Sequence, residues 1–90
     1  MMKHVVKRNR TIEAFDIRKL YASMYAACLS AHESTATAEL VAEEISTDIT
    51  RWIANKSEVT ANDIRKQAGL YLTEINPHAG YLYLHHRIMW

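Results

Sequence analysis

The sequence predicts a mainly α-helical (α+β) domain, a four-helix bundle that carries a small N-terminal β-hairpin as a lid. Apolar residues recur every three or four positions along most of the chain after residue 17, which is the spacing of amphipathic helices. Before them, residues 5–8 and the alternating residues 11–15 flank Asn9-Arg10, which indicates two strands around a turn. With 90 residues, 49% of them hydrophobic, we expect one domain over residues 1–90.

The first helix is predicted to follow Asp16 and to run to roughly Ala31. The Asp16 side chain can accept a hydrogen bond from a backbone N–H two or three residues later. Phe15 can then pack against Leu20 as a hydrophobic staple. The predicted buried stripe consists of Leu20, Tyr21, Met24, Ala27 and Cys28.

The second helix is the longest predicted element. His32-Glu33-Ser34 interrupts the pattern, and either Ser34 or Thr35 can cap the next helix. This helix ends near Asn55. Its predicted buried face consists of Ala38, Val41, Ile45, Ile49, Trp52 and Ile53.

The third helix begins with a capping signal. Thr60, with Asp63 three residues later, is typical of a capping box in which Asp replaces the more usual Glu. The segment before it, residues 57–60, is short enough to form either a third strand beside the hairpin or a loop. The side chains expected to face inward are Ile64, Ala68, Tyr71, Leu72 and Ile75.

The fourth helix is predicted from Asn76-Pro77 to about Met89, with Asn76 as the cap and Pro77 at the first helical position. It has almost no polar face, because Tyr81, Leu82, Tyr83, Leu84, Ile88, Met89 and Trp90 surround it. A helix that is apolar on all sides must be covered on more than one side. We therefore expect either a homo-oligomer through Tyr81, Leu84 and Ile88 or a partner protein.

Composition and length argue against several classes of protein. A net charge of +1 gives no basic stripe of the kind that binds nucleic acid. Ninety residues that close one core leave no room for a catalytic domain, so we expect no enzyme activity. The single Cys28 rules out an internal disulfide, and no two of the five histidines are four residues apart, so we expect no metal site. No apolar run approaches membrane length, and we expect a soluble cytoplasmic protein without a membrane contact.

Two groups of cations surround the predicted hairpin and the start of the first helix. Lys7 and Arg8 follow the first strand, and Arg18 and Lys19 fall in the first helical turn. A helix N-terminus disfavours cations, which suggests that an anion such as a phosphate lies nearby. The alternative is that Arg18 and Lys19 are ordinary solvated surface residues.

Four short motifs form an ordered series along the chain. They are Val5-x-Lys7-Arg8-Asn9, Glu13-Ala14-Phe15-Asp16, Lys19-Leu20 and Val59-Thr60-Ala61-Asn62-Asp63-Ile64. The series resembles the ATP-cone domain, an allosteric nucleotide-binding module of ribonucleotide reductases and of the zinc-ribbon repressor of their genes. The resemblance covers nearly all of the chain and implies the same helical fold with a hairpin lid. Asn9 and Arg10 depart from the Asp and Gly that the family usually has there.

The resemblance implies a regulatory domain that binds ATP or dATP, with Mg²⁺, in the context of ribonucleotide reductase control. The cations would hold the triphosphate, Val5 would line an apolar slot for the adenine, and Glu13 or Asp16 would accept from its amine. Arg65 is a further candidate, at a position where the family varies. The nucleotide-binding residues carried over from the motifs are Val5, Lys7, Arg8, Glu13, Asp16, Lys19 and Thr60.

Two other functions stay open at this stage. The helix from Thr60 to Leu72 could be the recognition helix of a small DNA-binding or protein-interaction module, with Asn62, Arg65, Lys66 and Gln67 on one face. The near-neutral net charge argues against it. Alternatively the chain is a degenerate cone that serves as a scaffold, because Arg10 replaces the Gly of the turn.

Overall fold

A computed structural model describes the backbone at residues 4–6, 12–14 and 16–86, and the side chains of residues 16–85. The three strands are β1 (His4–Val6), β2 (Ile12–Ala14) and β3 (Val59–Thr60), and the four helices are α1 (Ile17–Ser30), α2 (Thr35–Ala54), α3 (Ala61–Ile75) and α4 (Pro77–His86). The predicted mainly helical fold with four helices is therefore confirmed.

The helices pack as a closed ring, in which α1 contacts α2, α2 contacts α3, α3 contacts α4, and α4 returns to α1. The core lies inside this ring and collects one apolar stripe from each helix, together with Val59 of β3. The largest side chains that are fully buried there are Tyr83, Leu20, Met24, Ile45, Ile49, Ile64 and Leu72.

Each helix starts at the predicted cap. The Asp16 carboxylate accepts from the Arg18 N–H at 3.0 Å, and the Ser34 hydroxyl, rather than Thr35, caps α2. Thr60 and Asp63 form the predicted capping box, and the Asn76 side chain accepts from the third residue of α4 at 3.1 Å. These local hydrogen bonds fix where each helix begins.

The predicted break after α1 is a Schellman motif. His32 has a φ of 68°, the left-handed conformation in which many helices end. The His32 N–H donates to the Leu29 carbonyl and the Glu33 N–H to the Cys28 carbonyl, both at 3.0 Å. The motif satisfies two carbonyls at the end of α1 and lets the chain reverse into α2.

The three strands form one sheet with the order β2-β1-β3. Strand β1 pairs with β2 in the antiparallel sense and with β3 in the parallel sense. Residues 57–60 therefore contribute a short strand rather than a loop. The predicted turn at Asn9-Arg10, the staple residue Phe15 and the part of the lid they belong to lie outside the described residues.

Four predicted inward positions differ from the expectation. Ile75 is 42% exposed, because it is the last residue of α3, where the chain turns at Asn76 into α4. The other three, Tyr21, Trp52 and Tyr71, are half-buried and pack against the edge of the core.

The rest of the molecule covers more of the fourth helix than its apolar composition suggests. Tyr83 is fully buried, Leu84 is half-buried against the core, and Tyr81 is 55% exposed. Contacts with α3 and α1 cover two sides of α4 within one molecule. The described helix ends at His86, and the predicted extension through Ile88 to Met89 lies outside the described residues.

The contact between α3 and α4 depends on two glycines that face the opposite helix. A methyl group on Gly69 would lie 2.6 Å from the Leu84 Cγ atom, and one on Gly80 would lie 2.6 Å from the Thr73 Cα atom. Both distances are shorter than a van der Waals contact, so any side chain there forces a displacement. The two helices can approach this closely only because both residues lack a Cβ atom.

We predict that Gly80→Ala lowers the free energy of unfolding more than Gly69→Ala does. The atoms closest to a methyl group on Gly80 include the backbone Cα atom of Thr73, which moves only with the helix, whereas those closest to one on Gly69 belong to a leucine side chain that can rotate. Overpacking costs about 1–3 kcal/mol, partly offset by the gain in helix propensity of about 0.5–1 kcal/mol. Urea denaturation of the two variants measures the difference, and a Gly80→Ala variant as stable as the wild type would contradict the prediction.

Candidate functional site

Three of the candidate nucleotide-binding positions meet on the small sheet. Val5 is the antiparallel partner of Glu13, and its neighbour Val6 is the parallel partner of Thr60. The sequence separates these positions by up to 55 residues, and strand pairing brings their backbones together. The side chains of Val5 and Glu13 lie outside the described residues, as do Lys7 and Arg8, so their contacts stay predictions.

Two helices start directly from this sheet. Strand β2 leads through Asp16 into α1, and β3 ends at Thr60, which is also the N-cap of α3. Because β1 lies between them, β2 and β3 are separated by about 10 Å, two strand spacings. Because β2 and β3 run in opposite directions, α1 leaves the sheet beside His4 and α3 leaves it beside Val6. The dipole of each helix favours an anion near its own N-terminus.

Asp16 and Arg18 form a local pair at the start of α1. The Asp16 Oδ1 atom accepts from the Arg18 backbone N–H at 3.0 Å and from the Arg18 Nε atom at 3.3 Å. The side-chain hydrogen bond from Arg18, followed by the backbone one, lowers the pKa of Asp16 below its usual value of 3.8. The carboxylate of the cap therefore offsets the unfavourable position of Arg18, and no external anion is required to explain that residue.

Lys19 differs from Arg18 in its surroundings. It is exposed on the first turn of α1, and within residues 16–85 it has no ion-pair partner. An ammonium group on a flexible stem at this position can reach an anion beside the sheet. Lys19 is the described cation that best fits a phosphate contact.

Several backbone N–H groups in the first turns of α1 and α3 already donate hydrogen bonds within the protein. The Arg18 N–H donates to the Asp16 side chain, the Lys19 N–H donates to the Asp16 carbonyl at 3.1 Å, and the Asp63 N–H donates to the Thr60 hydroxyl at 3.0 Å. The first turn of α1 therefore has only part of its N–H groups available for a phosphate. A bound triphosphate would depend more on side-chain cations than on these amides.

The Thr60 hydroxyl group can still act as a hydrogen-bond donor after it caps α3. Its Oγ1 atom accepts from Asp63, and the Asp63 carboxylate accepts from the Thr60 N–H at 3.2 Å. A threonine hydroxyl carries one proton besides its lone pairs. Thr60 can therefore cap the helix and donate a hydrogen bond to a ligand at the same time.

Arg65 makes contacts that the sequence did not suggest. Its Nη2 atom donates to the Tyr83 carbonyl at 3.0 Å and to the Leu84 carbonyl at 3.1 Å. Its guanidinium carbon lies 5.4 Å from the centre of the Tyr83 ring, within the range of a cation–π contact. Arg65 thus fastens α3 to the last turns of α4, and a role in nucleotide binding would require it to leave these carbonyls.

The same contacts bear on the DNA-binding alternative. Of the four polar residues proposed to read bases, Asn62 and Lys66 are exposed, Gln67 is half-buried, and Arg65 is held by α4. Guanidinium contacts to guanine are the commonest specific readout. The face therefore lacks its strongest candidate for reading a base.

Two further surveys concern the described part of the chain alone. Its helices include none with the length and apolar character to cross a bilayer. Residues 16–85 also contain no group of three or more His, Cys, Asp or Glu side chains arranged to hold a metal ion.

Comparison with protein-family models places the chain among known domains. The model of the ATP cone domain matches residues 3–90, which is essentially the whole chain. No curated protein and no solved structure matches the sequence. The ATP cone is a regulatory, nucleotide-binding domain without catalytic function, and the match confirms the resemblance that the four motifs indicate.

We predict that the contribution of the Asp16 cap to stability disappears in acid. A carboxyl group whose pKa is lowered by folding stabilises the protein above its unfolded pKa, and this stabilisation is lost as the pH falls through the folded pKa. The melting temperature of Asp16→Ala should therefore lie below that of the wild type at pH 7, and the gap should narrow below pH 3.8. Asp16→Asn, which keeps a capping oxygen without the charge, is the control, and a gap that is independent of pH would contradict the assignment.

We predict that Arg65→Met destabilises the domain by about 1.5–3 kcal/mol, the usual value of a hydrogen bond to a charged group. Arg65→Lys keeps the charge but loses the planar fork, so it should restore only part of the stability. Urea denaturation gives the stabilities, and an ATP titration of the folded variants separates the two roles. A large loss of ATP affinity without a loss of stability would show that Arg65 serves the ligand instead of α4.

Proposed function

We propose an adenine-nucleotide-binding regulatory role for this chain, which belongs to the ATP-cone family. The ligand is ATP or dATP bound with Mg²⁺. Occupancy of the site changes the association of the domain with itself or its contact with a partner. Ribonucleotide reductase, or a regulator of it, is the partner that membership of the family suggests.

The observation that carries the proposal is the arrangement at the sheet. Strand pairing brings the backbones of Val5, Glu13 and Thr60 onto one small sheet, and the N-termini of α1 and α3 both adjoin this sheet. Lys19 adds an exposed ammonium group. This arrangement offers cations for a triphosphate and an extended backbone beside them for the edge of a base.

In this proposal, different residues bind different parts of the nucleotide. Lys7, Arg8 and Lys19 hold the phosphates, and Val5 packs against the adenine. Glu13 accepts from its amine, because the Asp16 carboxylate already receives two hydrogen bonds from Arg18. Thr60 donates its hydroxyl proton. Since Mg²⁺ prefers oxygen ligands and retains its waters, the phosphate oxygens supply most of its coordination.

Regulation requires that the nucleotide prefer one of two states of the protein. A ligand that touches both Lys19 and Thr60 bridges α1 and α3, and both of these helices pack against α4. Among the described residues of α4, Tyr81 is the large apolar side chain that is exposed, at 55%. Of the other two residues expected in such an interface, Leu84 packs against Gly69, and Ile88 lies outside the described residues.

We predict that Lys19→Ala weakens ATP binding by about 1.5–3 kcal/mol, which is roughly a 10-fold to 100-fold rise in Kd. The melting temperature should stay nearly unchanged, because Lys19 is exposed. Arg51→Ala removes one exposed positive charge from the end of α2 and is the matched control. Calorimetric titration with ATP, dATP, GTP and ADP gives the affinities.

Equal ATP affinity in Lys19→Ala and the wild type would exclude the proposed phosphate contact. A wild-type protein that binds none of the four nucleotides would support the scaffold alternative instead.

A further inference from the structure

A groove lies between the C-terminal end of α2 and one face of α3. It has a volume of about 400 Å³ and is lined by Trp52, Lys56, Asp63, Lys66, Gln67 and Leu70. The four residues from α3 follow the spacing of one helical face, which is turned away from the core. We call this surface the lysine groove.

The lysine groove combines an apolar floor with cations. Leu70 is 56% exposed and Trp52 is half-buried. The Lys56 ammonium nitrogen lies 4.6 Å from the centre of the Trp52 ring, and Lys66 is exposed. The Asp63 carboxylate already accepts from the backbone of Thr60. The chemistry suits a segment that presents an aliphatic side chain flanked by carboxylates.

Such a segment exists on the outer face of α2. Leu40 is 69% exposed, and the neighbouring Glu39, Glu43 and Glu44 are all exposed. Residues 33–50 contain five acidic residues and no lysine or arginine. We call Leu40 and these three glutamates the acidic ridge.

We propose that the acidic ridge of one molecule docks into the lysine groove of a second copy of this chain. Leu40 covers the apolar floor formed by Trp52 and Leu70, and the ridge carboxylates lie beside Lys56 and Lys66. The proposal follows from the complementary charge and shape of the two surfaces. It involves no nucleotide and does not depend on the proposed function.

One molecule cannot fill its own groove. Leu40 precedes Trp52 by twelve residues on the same helix, which places them about 18 Å apart along the axis and about 120° apart around it. Each copy therefore offers a ridge to one neighbour and a groove to another. This contact is heterologous, and it adds molecules head to tail.

The contact is small, so the association is weak and depends on protein concentration. Exposed charges contribute part of the attraction, and salt screens them over a distance of about 8 Å at physiological ionic strength. Sedimentation velocity at low salt should show species larger than a monomer, and added salt should shift them toward the monomer.

Two double variants test the proposal, and each disables one surface. The ridge variant is Leu40→Lys with Glu43→Lys, and the groove variant is Lys66→Glu with Leu70→Glu. All four positions are exposed, so the fold should be kept, and circular dichroism confirms it. Ser30→Lys, a charge change on an exposed position of α1, a helix that supplies no residue of either surface, is the control.

The expected results differ between the variants alone and their mixture. Each double variant alone should sediment as a monomer at concentrations where the wild type and Ser30→Lys associate. A one-to-one mixture should form a dimer and nothing larger, because the intact groove of one variant receives the intact ridge of the other.

Three results would overturn the proposal. They are a wild type that stays monomeric at low salt and high concentration, a double variant that associates as the wild type does, and a mixture that remains monomeric. Association through α4 instead would survive in both double variants. Because the measurement needs no ATP, failure to bind nucleotide would leave this result unchanged.

Discussion

The architecture depends on two attachments of α3. One joins the start of the helix to the sheet, and the other joins a later part of it to α4. At its start, Thr60 is at once the last residue of β3 and the cap of the helix, so the sheet and the bundle share one residue. Further along, Arg65 donates to carbonyls of α4, and Gly69 receives the Leu84 side chain. These are contacts over long sequence distances, and they fix α4 relative to the sheet.

This connection gives the proposed regulation a physical route. A nucleotide at the sheet would act on the first turns of α1 and α3, and both helices contact α4. Because the α3–α4 contact has no room for a side chain at Gly69 or Gly80, small movements of α3 must move α4 as well. Coupling of this kind is reciprocal. Whatever binds the outer surface of α4 would change the affinity for nucleotide by the same factor.

The charges are distributed in a way that the net value of +1 conceals. Acidic residues dominate the outer face of α2, whereas Lys56 and Lys66 lie at the lysine groove and Lys19 is exposed on the first turn of α1. One chain therefore carries surfaces of opposite sign that are suited to different partners. In the two proposals, the cations near the sheet bind phosphates, and the lysine groove binds a carboxylate-bearing helix.

The sequence by itself determined the local structure and the motif positions. Asp16, Thr60 and Asn76 could be assigned as caps, and the cap of α2 could be narrowed to Ser34 or Thr35, because a cap bonds a backbone group within three residues and such bonds need no tertiary contact. The motifs also predict that Val5, Glu13 and Thr60 are parts of one site. Only the tertiary structure decided that strand pairing brings these three together, and that Arg65 is fastened to α4. Partners 18 and 19 residues away are chosen by helix packing, which local spacing does not encode.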